Sequence, residues 1–167
     1  MIGRPFVRAA TAADVTAIED VVKAAYAPYV SRIGRVPAPM TVDYQTLVTA
    51  TDHAWVLIDD DELVGVIVTV AQPDHLLIEN VAISPTAQGR GYGRFLLAHA
   101  ERQAYDLGLA QTRLYTNVAM TENLTFYPRL GYVEVARRFD DGYHRAFFVK
   151  DVGAAEAQAT TSTTTRR

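Results

Sequence analysis

The chain is predicted to fold as an α/β (α+β) domain: a mixed, mostly antiparallel central sheet of about six to seven strands with a parallel central pair, flanked by about four helices. Residues 76–83 read as a strand that passes through a glycine-rich turn straight into a helix, and a further strand follows at 112–117. Such a strand–helix–strand crossover is right-handed and sets its two strands parallel. Two acidic tips, Asp59-Asp60-Asp61-Glu62 and Asp140-Asp141-Gly142, each join two apolar runs as a hairpin, which is antiparallel by construction. Between the first strand and the first hairpin the apolar residues recur at helical spacing.

Phe6-Val7-Arg8-Ala9-Ala10 is a short first strand. Thr11-x-x-Asp14 is a capping-box variant ahead of an apolar stripe at Val15, Ile18, Val22 and Ala25, which predicts the first helix. After Tyr26, Pro28 and Tyr29, the residues Arg32, Gly34, Pro37, Pro39 and Met40 predict a shaped loop. A second, short helix is expected from Thr41, with Tyr44, Leu47 and Val48 as its apolar side. Residues 53–58 and 63–70 are the next two strands. The four carboxylates between them are the pattern of a solvated tip, so no metal is expected.

Gln72-Pro73-Asp74 turns the chain into the strand at 76–83, which Ser84-Pro85 stops. From Phe95 on, Leu97, Ala100, Ala104 and Leu107 give one apolar helical face, and Gly108 supplies the stop. Residues 120–130 read as a short helix in which Pro128 removes one donor and Gly131 ends the run. Residues 132–136 and 143–150 close the domain as strands. Residues 1–152 thus form one domain. The tail, 153–167, drifts into Thr-Thr-Ser-Thr-Thr-Thr-Arg-Arg, has no apolar face to bury and is expected to be disordered.

Composition narrows the function classes. The 167 residues carry a net charge of −3, and the basic residues are mostly scattered arginines, which argues against a nucleic-acid footprint. No apolar run is long enough to span a membrane, and the start lacks the apolar stretch of a signal peptide, so a cytoplasmic location is expected. There is no cysteine, which excludes disulfides, thiol catalysis and cysteine-ligated metal sites.

The stretch Gln88-Gly89-Arg90-Gly91-Tyr92-Gly93-Arg94 carries the chemistry. Glycines let backbone approach a ligand, and the free N–H groups of a helix's first turn favour an anion. Arg90 and Arg94 add positive charge, so the turn suits a phosphate, above all a pyrophosphate. A glycine-rich turn alone can also be a mere connection. The spacing is not the dinucleotide fingerprint, and no Walker lysine-serine pair follows.

The pattern Gln88-Gly89-Arg90-Gly91-Tyr92-Gly93 resembles the acetyl-CoA signature of the GCN5-related N-acetyltransferase (GNAT) family, Gln/Arg-x-x-Gly-x-Gly/Ala. Residues 122–132, with Phe126-Tyr127 and Gly131-Tyr132, are similar to that family's aromatic-tyrosine segment. The resemblance implies a GNAT-like sheet whose parallel strands splay apart, with acetyl-CoA as cosubstrate and a primary amine as acceptor. Its pantetheine arm would lie along Val81, Ala82 and Ile83, and residues Gln88, Gly89, Arg90, Gly91, Tyr92, Gly93 and Arg94 would take the pyrophosphate. The family's usual asparagine, seven residues before the tyrosine, is here Met120, and Asn123 is carried as the cofactor contact. The resemblance also allows a homodimer through the last strands.

An alkyl amine arrives mostly protonated at neutral pH, so transfer needs a base as well as an acid for the departing thiolate. Glu79 is the candidate base. By strand alternation it shares a face with Leu77, Val81 and Ile83, where partial burial would improve it; the bland alternative is an exposed or hydrogen-bonded carboxylate. Tyr127, the family's tyrosine, is the candidate acid, against simple packing at a helix end. Tyr26, Tyr29, Arg32 and Met40 sit on the loop that covers the substrate groove in this family, and Asn117 is a further substrate or water contact. Tyr143, His144 and Arg145 approach from the closing hairpin. His75 and His144 are alternative bases, more simply read as solvent-facing.

These residues point to an acetyl-CoA-dependent N-acetyltransferase that works by direct attack. A non-catalytic acyl-CoA-binding module or regulator is the alternative, and a nucleotide binder is a third.

Overall fold

The computed structural model describes residues 3–153, so the tail's expected disorder lies, beyond Gly153, outside the described residues. The strands are β1 (Phe6–Ala9), β2 (Ala54–Asp59), β3 (Glu62–Ala71), β4 (Leu76–Ile83), β5 (Gln111–Asn117), β6 (Val133–Asp140) and β7 (Tyr143–Asp151). The helices are α1 (Val15–Tyr26), α2 (Val30–Ile33), α3 (Tyr44–Ala50), α4 (Tyr92–Asp106) and α5 (Thr121–Arg129). All seven strands make one sheet in the order β1-β2-β3-β4-β5-β7-β6. Only β4 and β5 pair in parallel; the other neighbours are antiparallel. The expected mixed sheet with its parallel central pair is therefore present.

Each face of the sheet carries its own core. Under α4 and α5, Leu57, Ile67, Leu76, Ile78, Leu114 and Phe148 meet Leu96, Leu97 and Tyr127. Under α1 and α3, Val56, Val66 and Ala82 meet Ile18, Val22 and Val48. Apolar side chains on both faces of the central strands explain why β3 reads as an almost unbroken apolar run. Among the described residues no helix is long and apolar enough to cross a membrane.

Local chemistry sets the boundaries. The Asp14 carboxylate accepts from the Thr11 amide at 2.7 Å, as the capping-box pattern predicts, and also from Arg8 Nη1 at 2.7 Å and Nη2 at 3.0 Å. Asp60 and Asp61 take left-handed φ angles of 47° and 63°, the backbone of a tight hairpin turn. Asp59 departs from the expected solvated tip: its carboxylate accepts from the Tyr92 hydroxyl.

Other boundaries shift. Residues 27–33 and 38–41 are helical turns rather than irregular loop, because Pro28 and Pro39 sit in first turns that need no N–H from them. The second expected helix starts at Tyr44, not Thr41, since Asp43 caps it by accepting from the Thr46 amide at 3.1 Å. On α4, Leu96, Leu97, Ala100 and Ala104 form the buried face, whereas Phe95 is exposed, as is Leu107 just past the helix end.

Two irregularities in β4 shape the centre of the molecule. Thr69 pairs with Ile78 and Val68 with Asn80, so Glu79 is an extra, bulged residue. The parallel pairing with β5 covers Leu76–Thr112, Leu77–Arg113 and Ile78–Leu114 and then stops, although both strands continue. The strands part from the bulge onward, as the family resemblance implies.

Candidate active site

A cavity of about 590 Å³ opens where β4 and β5 part. The glycine-rich turn and the start of α4 form one wall. Gly89 and Gly91 hold φ angles of 82° and 81°, which L side chains rarely adopt. A Cβ at either position would meet no atom within 4 Å, so the protein leaves that space open. At Gly93 a Cβ would come within 3.3 Å of Phe126 Cζ, so a small residue there lets α4 and α5 approach. The first helical bond closes from the Phe95 amide to Gly91 O at 3.1 Å. The amides of Tyr92, Gly93 and Arg94 precede it without a helical partner, at the positive end of a 15-residue helix.

The open edge of β4 continues this wall. The Val81 carbonyl accepts from the Tyr26 hydroxyl at 3.3 Å, and the Ile83 carbonyl from Gln88 Nε2 at 3.2 Å. Both carbonyls therefore point away from β3, and by strand geometry so do the amides of the same residues. Those amides face the gap left by β5. A free strand edge leading to a turn of unpaired amides fits an extended amide-bearing chain that ends in a diphosphate. Val81, Ala82, Ile83, Gln88, Gly89, Gly91, Tyr92, Gly93, Arg94 and Asn123 all line the cavity. Arg90 does not: it turns outward, 3.7 Å from Asp59 Oδ2.

Glu79 lines the cavity but is exposed, not partly buried. The bulge is the reason. Leu76, Ile78, Val81 and Ile83 all belong to the core under α4, so alternation slips by one residue at Glu79 and Leu77 lies on the other face. Tyr127 is buried, with ring centroids of Phe126, Tyr132 and Phe148 at 5.4, 5.9 and 5.6 Å. Burial, with a smaller contribution from Tyr29, pushes its phenol up to about 12. It also lines the cavity, so packing and access to the cavity coexist in one side chain.

The expected acceptor contacts divide. Tyr26 and Tyr29 line the cavity. The Tyr26 hydroxyl is already committed to Asn80 Oδ1 at 2.6 Å, and burial raises its pKa well above the ordinary phenol value. Arg32 and Met40 do not line it. Arg32 instead pairs with Glu122 at 2.7 and 2.9 Å, tying α2 to α5, and Met40 packs in the core under α1. Asn117 lines the cavity, but its Oδ1 accepts from the Ala119 amide at 2.9 Å, which shapes the turn after β5. Asn123 Nδ2 donates to Thr116 Oγ1 at 3.0 Å, bracing α5 against β5.

His144 is exposed and stacks on Phe139 with centroids 4.6 Å apart, away from the cavity. His75 is only 16% exposed in its side chain, contrary to the solvent-facing reading, and its Nδ1 lies 2.7 Å from Asp74 Oδ1; it too is away from the cavity. Arg145 and Tyr143 do line it. Asn80 and Tyr115 line it as well and were not expected. The signal for Asn80 was available, as a lone amide inside the apolar run 78–83. Tyr115 offers no such signal, since an aromatic in a strand is ordinary.

Residues 18–132 match the model of the Acetyltransferase (GNAT) family. A search of curated proteins finds no match. Among solved structures, the chain is similar to PaiA N-acetyltransferase from Thermoplasma acidophilum in complex with coenzyme A, at 15% identity and TM-score 0.71, covering 89% of this chain and 99% of that one. The ribosomal-protein-S18-alanine N-acetyltransferase from Escherichia coli superposes at 17% identity and TM-score 0.67, covering 89% and 94%. The IAA acetyltransferase from Bacillus cereus does so at 16% identity and TM-score 0.66, covering 89% and 99%. At these identities the likeness is one of fold.

Proposed function

The chain belongs to the acetyltransferase (GNAT) family, and from that starting point we propose that it is an acetyl-CoA-dependent N-acetyltransferase acting on a primary amine by direct attack. One observation carries the reading: β4 and β5 part immediately beside a turn of unpaired amides, and the gap holds both a carboxylate and a protonated phenol. Bound there, acetyl-CoA would supply an activated acyl group on sulfur.

The residues have separable roles in this reading. Amides of the turn, with Arg94, bind the diphosphate, and the amides of Val81 and Ile83, with Asn123, bind the arm. Glu79, in the gap at the bulge, takes the proton of the acceptor ammonium directly or through a water. Tyr127 keeps its proton at neutral pH, since burial pushes its phenol up to about 12, and gives it to the departing sulfur. With no cysteine in the chain, an acyl-thiol enzyme is unavailable, which favours direct attack. Arg32 and Met40 drop out of the acceptor set because neither lines the cavity. A cytoplasmic location goes with this reading.

The test is calorimetry with coenzyme A, followed by a panel of primary amines with thiol release as readout. Binding followed by release with at least one amine is expected. Binding with no release across the panel would favour an acyl-CoA-binding module. Absence of binding would overturn the assignment.

A further inference from the structure

We propose that the acceptor is a small amine that also carries a carboxylate, and that Arg145 selects it by pairing with that carboxylate. The inference rests on the transferase reading above and deepens it to a substrate class. Arg145 lies on β7 and is only 7% exposed. A buried guanidinium needs partners for its donors, of which it has five in a planar fork. Its protein acceptor is Asp140, reached from Nη1 at 2.9 Å. The Asp140 side chain is itself 47% exposed, so water shares it and the arginine is only partly neutralised.

Arg145 keeps access to the cavity. Among the described residues, the buried side-chain atoms sealed from solvent without a partner are Trp55 Nε1 and His99 Nε2. Arg145 is not among them, although it is buried and gives one bond, and it lines the cavity. The guanidinium is held in place by aromatic rings, 4.3 Å from the Tyr115 centroid and 5.3 Å from that of Tyr143. A fork so fixed can grip a carboxylate through two parallel bonds at small entropic cost.

Its position suits an acceptor rather than the acyl donor. Leu114, Ala146 and Phe148 of β5 and β7 point into the core under α4. By alternation Tyr115 and Arg145 point to the opposite face, away from the glycine turn. β5 alone separates β7 from β4, so one small molecule can rest its carboxylate on Arg145 and turn its amine toward Glu79. Tyr29, Tyr115 and Tyr143 supply apolar walls for the carbon skeleton between them.

The experiment titrates the CoA-saturated protein, by calorimetry, with amines matched in skeleton: phenylalanine against phenethylamine, and leucine against isopentylamine. The carboxylated member of each pair is expected to bind about ten- to hundredfold tighter, the worth of a hydrogen-bonded charge. Arg145→Gln is expected to erase the difference. Asp140→Asn leaves Arg145 in place without its competing carboxylate, and is expected to tighten the carboxylated members further, a gain that misfolding cannot mimic. Equal or weaker binding of the carboxylated members, no binding by any of them, or a preference that survives Arg145→Gln, overturns the proposal. Acetylation of carboxyl-free amines alone would do so while leaving the transferase reading intact, whereas failure of CoA to bind removes both.

Discussion

The hydroxyl of Tyr26 donates to Asn80 Oδ1 at 2.6 Å, joining the end of α1 to the residue just past the β4 bulge. Asn80 Nδ2 in turn donates to the Tyr44 hydroxyl at 3.3 Å, and Tyr44 donates to Pro39 O at 2.6 Å. This run of bonds crosses the core between the helical layer and the strand that parts from β5. Tyr26→Phe would leave a buried amide oxygen without its donor and is expected to cost about 1–3 kcal/mol. The midpoint of urea unfolding should fall with its slope unchanged. An unmoved midpoint would show that Asn80 finds another donor.

Tyr127→Phe keeps the ring contacts with Phe126, Tyr132 and Phe148 and removes only the acidic proton. Turnover is expected to fall by about 10²–10³-fold, within the usual range for a lost general acid. Affinity for coenzyme A should hold, since the ring remains. An unaltered turnover number would reduce Tyr127 to packing.

Glu79 is exposed at the bulge, so Glu79→Gln should leave the thermal midpoint within about 1 °C, as for a surface change. Turnover is expected to drop by at least about tenfold with CoA binding intact. Equal rates in both proteins across the pH range would assign proton removal to a water path that does not involve this carboxylate.

Asp14 sets part of the acid stability. The Arg8 guanidinium bonded to it holds its carboxyl down to about 2, below the value of about 4 in an unfolded chain. The unfolded state therefore takes up the proton first as pH falls. Its contribution is complete above about pH 4 and disappears as pH drops through the folded value near 2. Asp14→Asn should lower stability at pH 7 and flatten the acid limb between those values, as read by denaturant titrations at several pH values. A parallel acid limb in the two proteins would show that other carboxylates carry it.

Features that depend on a few neighbouring residues were legible along the chain. The turn at Gly89 and Gly91 follows from a backbone that only glycine adopts readily, and the α4 face follows from the spacing of Leu97, Ala100 and Ala104. The crossover and the two hairpins follow from connection length and tip chemistry. Of the residues the family signature points to, 81–83, 88, 89 and 91–94 line the cavity, whereas Arg90 does not. Partners brought from afar were not legible. The slip at Glu79 exists because β3 pairs on either side of it, and no pattern within 76–83 announces an unpaired residue. Arg32 reads as an acceptor contact until Glu122, 90 residues away, claims it. Asp59 looks like a solvated tip until Tyr92 folds onto it, and Arg145 becomes a buried cation only when Tyr115 and Tyr143 enclose it. Steric preference and periodicity act within a turn or two of chain, whereas burial, register and charge pairing belong to whichever distant segments the packed sheet sets side by side.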